Sequence, residues 1–227
     1  MKKINVSKEF IYVLALVLDT FGSALLVRGN FGTSAMSSFP LILGDIIPSL
    51  SVGNISIIVQ TIILIGTVIA IRKFNISYCF CFVTSLLYGW FLDLFLFIVK
   101  FFPVSLILRE LYFVLGGIMV GTSIGMYMRC SLPLMPFDIL VKTIADYKGI
   151  KEGRIKIIVD FSFLISTLLL GLLYFREIRY VGIATFILSF SLGAIADIYN
   201  NIFDKLFNYK FYIKIVERFA CWFTSKY

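Results

Sequence analysis

Histidine is absent from all 227 residues, which removes the commonest metal ligand and the usual proton shuttle near neutral pH. Cysteine is scarce. Cys79, Cys81, Cys130 and Cys221 have the spacing of neither a zinc site nor a redox pair, and read as small buried hydrophobes. Charge is sparse too: 15% of residues are charged against 60% hydrophobic, with a mean hydropathy of +0.97. A soluble domain of this length has no interior large enough to hide that much apolar surface. No nucleophile with an evident base and no metal cluster stands out, so the sequence suggests neither an enzyme nor a cofactor or metal protein.

What is present is length of apolar run. Uninterrupted stretches fall at about 10–28, 54–71, 77–99, 104–128, 155–175 and 180–199. Each spans about 30 Å of hydrocarbon as a helix, and their continuous rather than alternating hydrophobicity selects helices over a barrel. Two other segments, 34–48 and 134–148, are too short or too charged to face lipid. The expected fold is all-α: a polytopic membrane protein of six transmembrane helices plus two short broken or re-entrant helices.

The octapeptide Gly-Asn-Ile-Ser-Ile-Ile-Val-Gln at 53–60 returns as Gly-Arg-Ile-Lys-Ile-Ile-Val-Asp at 153–160. Around it Gly22-Ser23, Arg28, Asp45, Ser85, Gly89 and Asp93 are answered in order by Ser123, Arg129, Asp146, Ser189, Gly193 and Asp197. This reads as an internal repeat, about 8–100 and 108–204, in one membrane domain. Three crossings per copy make the repeats inverted; if the short helices crossed fully, eight helices in parallel repeats would result. With the N-terminus inside, only Arg28, Lys100, Arg109, Arg176 and Arg179 of the 21 basic residues lie outside, so both termini are expected in the cytoplasm and the protein in the cell membrane. The N-terminal Met-Lys-Lys and its apolar run read as a retained signal anchor. The tail, 205–227, is basic and aromatic and suits an anionic leaflet. Because the net charge of +8 is distributed by topology, nucleic-acid binding is not expected.

Ionisable residues inside the hydrocarbon are the candidate site. Asp19 lies near the middle of the first span, and Asp160 lies in the fifth beside Lys156 at i−4. The N-terminal ends of the two short helices add Thr33, Ser34, Ser37 and Ser38 in one copy and Asp138 in the other. Free N–H groups and the positive dipole end there would favour an anionic solute on the serine side. Arg28 with Asp93, and Arg129 with Asp197, are expected to pair as clamps or gates at opposite faces. Gly117, Gly121 and Gly125 form a four-residue-spaced stripe for close helix packing.

The run Arg-Gly-Asn-Phe-Gly-Thr-Ser at 28–34, Leu50 to Ile57, Pro136-Phe137-Asp138, Gly149-Ile150, Val181-Gly182-Ile183-Ala184-Thr185 and Gly193 resembles the YczE/YyaS/YitT-like bacterial membrane proteins over nearly the whole chain. In that family an acid often stands near the position of Asp160, and an acid opens each short helix; here Ser34 to Ser38 contain none. The resemblance implies a permease. The leading expectation is therefore a transporter of a small solute by alternating access. The alternative is a non-transporting accessory or regulatory partner of a membrane-bound biosynthetic or export system, with the tail as its docking element. The expected partners are the lipid bilayer, a small solute, and a membrane protein or a second copy.

Overall fold

The computed structural model describes residues 4–71, 77–130, 132, 135–150 and 152–213. In chain order its elements are β1 (Ile4–Ser7), α1 (Lys8–Gly29), α2 (Ala35–Ile46), α3 (Val52–Ile71), α4 (Ser77–Val99), α5 (Leu106–Cys130), α6 (Pro136–Lys148), α7 (Glu152–Phe175), α8 (Ile183–Leu206) and β2 (Phe207–Lys210). Among the described residues six helices are long and apolar enough to cross a membrane, as in a polytopic membrane protein. Local chemistry sets several boundaries. Ser7 accepts the Phe10 N–H to start α1, and Asn30, left-handed at φ 58°, ends it by donating to the Leu26 and Val27 carbonyls. Pro136 opens α6, where its missing N–H costs nothing, and left-handed Gly149 closes it.

At a rise of about 1.5 Å per residue, α2 (12 residues) and α6 (13 residues) extend only about 20 Å, too little to cross. Both ends of α2 are held by one loop. Thr33, just before the helix, donates its N–H to the Tyr180 carbonyl at 3.0 Å, while Asp45 near its other end receives the Tyr180 hydroxyl at 3.1 Å. Both ends of α2 therefore lie beside the same residue of the α7–α8 connection.

The centre of the molecule is an antiparallel pair, α1 on α5. Their backbones meet at Gly22 and Gly116, where an added Cβ would lie 2.9 Å from the Gly116 carbonyl oxygen on one side and 2.8 Å from that of Gly22 on the other. Outside this pair α4 packs on α1 and α8 on α5. The short helices cross over: α2 packs on α7, joined by the Ser38–Thr167 hydroxyl hydrogen bond of 3.1 Å, and α6 packs on α3 through Phe137, Ile55 and Val59. The glycine stripe Gly117, Gly121 and Gly125 faces α8, against Leu188, Ile195 and Tyr199. Ile62, Ile69, Leu173 and Phe190 point outward and are well exposed, as lipid-facing side chains are. Cys81 and Cys130 are buried and Cys79 is exposed.

One element was not expected. β1 and β2 pair in parallel, Ile4 against Phe207, and the Glu9 carboxylate accepts the Tyr212 and Ile213 N–H groups at 3.1 and 2.9 Å. Lys8 sits over the Phe211 ring, 4.4 Å from its centroid. Residues 4–9 and 207–213 therefore meet on one face, called the termini face below. The start of the tail is stitched to β1 and Glu9, while Lys214, Arg218, Phe219, Cys221 and Trp222 lie outside the described residues.

Candidate functional site

Between the two short helices lies a cavity of about 420 Å³. Helix α1 contributes Asp19 and Ser23, α2 contributes Ser34, Ser37 and Pro40, and α3 contributes Ser56 and Gln60. From the other half come Asp138 on α6, Lys156 and Asp160 on α7, and Ser189, Gly193 and Asp197 on α8. Leu92, Val120, Ile124 and Leu192 supply an apolar wall. Lys156 Nζ stands 3.8 Å from Asp138 Oδ1. Asp19 interacts with Ser123 of α5, and the Tyr88 hydroxyl with Ser23 and Ser37. Gln60 is fully buried; its Nε2 donates to Ser56 Oγ at 3.2 Å, and its Oε1 has no hydrogen-bond partner.

The cavity is shut on the side remote from the termini face. Gly32 (φ +123°) lies against Gly182 and Thr185, so that a Cβ on Gly32 would come within 2.6 Å of Thr185 Oγ1. That backbone position suits only glycine. Beyond this plug is a vestibule of about 1000 Å³ lined by Asp45, Glu110, Glu177, Arg179 and Tyr180. A latch closes across it: Arg179 Nη1 and the Tyr180 hydroxyl both donate to Asp45 Oδ2, at 3.2 and 3.1 Å. Burial, reinforced by the Asp45 charge, pushes the Tyr180 hydroxyl up to about 12, so it stays protonated and donating at neutral pH. On the same side α3 and α4 are zipped together. The Gly53 N–H donates to Asp93 Oδ1 at 2.7 Å, and a Cβ on Gly89 would lie 2.6 Å from the Gly53 carbonyl oxygen.

Toward the termini face the opposite holds. Gly193 has nothing within 4 Å of an added Cβ, Asp197 is exposed and lines the cavity, and α7 and α8 do not pack as α3 and α4 do among the described residues. Two helix pairs thus flank one cavity, one closed and one parted.

Residues 6–201 match a profile described as a family of unknown function, DUF6198. The chain belongs to DUF6198. This DUF6198 protein is also YyaS-like: it is 27% identical over 141 residues to the uncharacterized protein YyaS of Bacillus subtilis (strain 168), covering 61% of this chain and 69% of that one. No solved structure shows a significant match to it.

Of the residues expected to form the site, the DUF6198 fold brings Asp19, Ser34, Ser37, Asp138 and Asp160 to one cavity. Thr33 and Ser38 are not on it. Both are buried, Thr33 against Tyr180 and Ser38 against the Ala35 carbonyl and Thr167, so they anchor α2. The serine-rich start of α2 is also less available to an anion than expected. Ser34 Oγ already accepts the Ser37 N–H, and four aspartates face a single lysine across the space. Lys156 bridges to Asp138 rather than forming a private pair with Asp160.

The two long-range charge pairs need correction. Asp93 takes the Gly53 N–H, and Arg28 turns instead to the Phe102 carbonyl. Arg129 Nε donates to Asn200 Oδ1 at 3.1 Å, not to Asp197, which lines the cavity. An order shared between two halves says which residues correspond, not which way each side chain turns. Gln60, Tyr88 and Ser56 were missed. The signal was there for Gln60, which stands in the first octapeptide where Asp160 stands in the second.

Proposed function

We propose that this DUF6198 protein is a permease of the cell membrane that passes a small solute by alternating access, with its termini in the cytoplasm. Its two halves, 8–100 and 108–204, are read as an inverted repeat that exchanges α1 with α5, α2 with α6, α3 with α7 and α4 with α8. The packing supports this reading: α1/α4 corresponds to α5/α8, and α2/α7 to α6/α3. The observation that carries the proposal is where the correspondence breaks. The Gly89 and Asp93 contacts close α3 on α4, while among the described residues their counterparts Gly193 and Asp197 make no such contacts with α7. A two-fold unit held closed on one side of a cavity and open on the other is the arrangement that alternating access requires. Reversal would close α7 on α8, part α3 from α4 and release the vestibule latch. The site binds and releases; no bond-making step is assigned to it.

The accessory reading relies on the tail as a docking element. Phe207 to Ile213 give it no support, because they are already taken up by β1 and Glu9.

The test is a cysteine pair at Ile157 and Gly193 in an otherwise cysteine-free chain, reconstituted in liposomes. The pair is expected to cross-link in only a fraction of molecules, and cross-linking is expected to block solute uptake. A pair that never forms, or one that forms without affecting uptake, would reject the permease. Thiols at Asn30 and Lys148 should label from opposite sides of the membrane; labelling from one side would remove the inverted repeat.

A further inference from the structure

Resting on the permease reading, we propose that the cavity takes a small organic ammonium ion, a protonated amine with a short apolar body. The first ground is charge. Asp19, Asp138, Asp160 and Asp197 share the cavity with Lys156, whose ammonium stands 3.8 Å from Asp138. Among the described residues no ion pair reaches Asp19 or Asp160. A carboxylate at membrane depth without an ion-pair partner is costly, and a cationic solute supplies the counter-charge that an anion would not.

The second ground is independent of the acids. Gln60 is fully buried and lines the cavity, and its carbonyl Oε1 has no donor. A buried acceptor left unpaired forfeits about 1–3 kcal/mol, and an N–H from the solute recovers it.

The occupant is an amine rather than a metal ion. Among the described residues no three His, Cys, Asp or Glu side chains converge closely enough to hold a metal. Calcium and magnesium need six or more oxygen ligands or a retained water shell. Leu92 and Val120, by contrast, offer an apolar wall to an alkyl body, and about 420 Å³ is the volume of a small-molecule site.

The experiment compares three near-isosteres, isopentylammonium, isopentanol and isovalerate, on the full chain in lipid nanodiscs. The readouts are thermal stabilisation and competition binding, with protein-free discs as the control for partitioning. Isopentylammonium should bind, and the other two should not. Asp19→Asn and Asp160→Asn should each weaken it about tenfold, about 1.4 kcal/mol. Gln60→Leu should weaken isopentylammonium but not isopentyltrimethylammonium, which has no N–H to lose. If Asp19→Asn does not fold, Asp160→Asn and Gln60→Leu carry the test. Equal or tighter binding of isovalerate or isopentanol, no binding of the ammonium ion, or unchanged affinity in the Asn variants would overturn the proposal. Flux in proteoliposomes separates it from the reading beneath it. Ammonium binding without flux removes the permease and keeps the ligand class; flux of isovalerate keeps the permease and removes the ligand class.

Discussion

Helices α3 and α4 are held in contact by Gly53, Gly89 and Asp93, whereas on α8 Gly193 faces open space and Asp197 lines the cavity. The same residue types in the same order do opposite things. Glycine in the first pair allows two backbones to touch; in the second it leaves the space a closing partner would fill. The lesson is that a small-residue and acid motif does not by itself dictate contact. It permits a contact whose formation depends on the state of the molecule.

The largest effect should come from adding volume at the closed pair. Gly89→Val places a branched side chain on the Gly53 carbonyl and Ile57, and is expected to destabilise the fold by about 3 kcal/mol. Gly193→Val, with open space around it, should stay within about 0.5 kcal/mol. Thermal unfolding in detergent checks both, and equal losses would erase the distinction between the pairs. Next in size is the acid. Asp93→Ala leaves the Gly53 N–H without its acceptor and should cost about 1–3 kcal/mol. Asp197→Ala should leave thermal stability unchanged while impairing uptake. A comparable loss from Asp197→Ala would mean that α7 and α8 are also closed in the membrane.

Smaller still is the vestibule latch. Its ion pair is partly exposed, so Arg179→Ala should cost no more than about 1 kcal/mol. Tyr180→Phe removes one hydrogen bond and should cost about 1 kcal/mol. The pH dependence has a definite sign. Folding raises the Tyr180 hydroxyl from its ordinary value near 10 to about 12, so its contribution is complete below pH 10 and is lost as pH rises toward 12. Melting temperature should therefore fall less steeply across that window in Tyr180→Phe than in the parent; identical slopes would remove Tyr180 from the latch.

How much of this could be read in advance follows from the physics of each element. The crossing helices were legible because apolar runs of that length have no other stable form in lipid, and their bounds differ from expectation by a few residues. The short helices were legible because Pro48 ends one apolar run early and Asp138, Lys142 and Asp146 interrupt the other. Ile4–Ser7 and Phe207–Lys210 were not, since four residues carry almost no periodic signal and their pairing spans nearly the entire chain. Asp19, Asp138 and Asp160 stood out because charge is conspicuous in hydrocarbon. Gln60 stood out less, because its correspondence to Asp160 marks the position but not the unmet acceptor.

The pairing of β1 with β2 makes the polypeptide close to a ring. Which half is translated first is then a matter of gene order rather than of architecture. Joining the ends beyond β1 and β2 and opening the chain between Lys100 and Ser105 would yield a circular permutant that begins with α5 and keeps every helix-to-helix contact described above. It also means that β1 gains its partner strand only after the sequence of the last helix has been made.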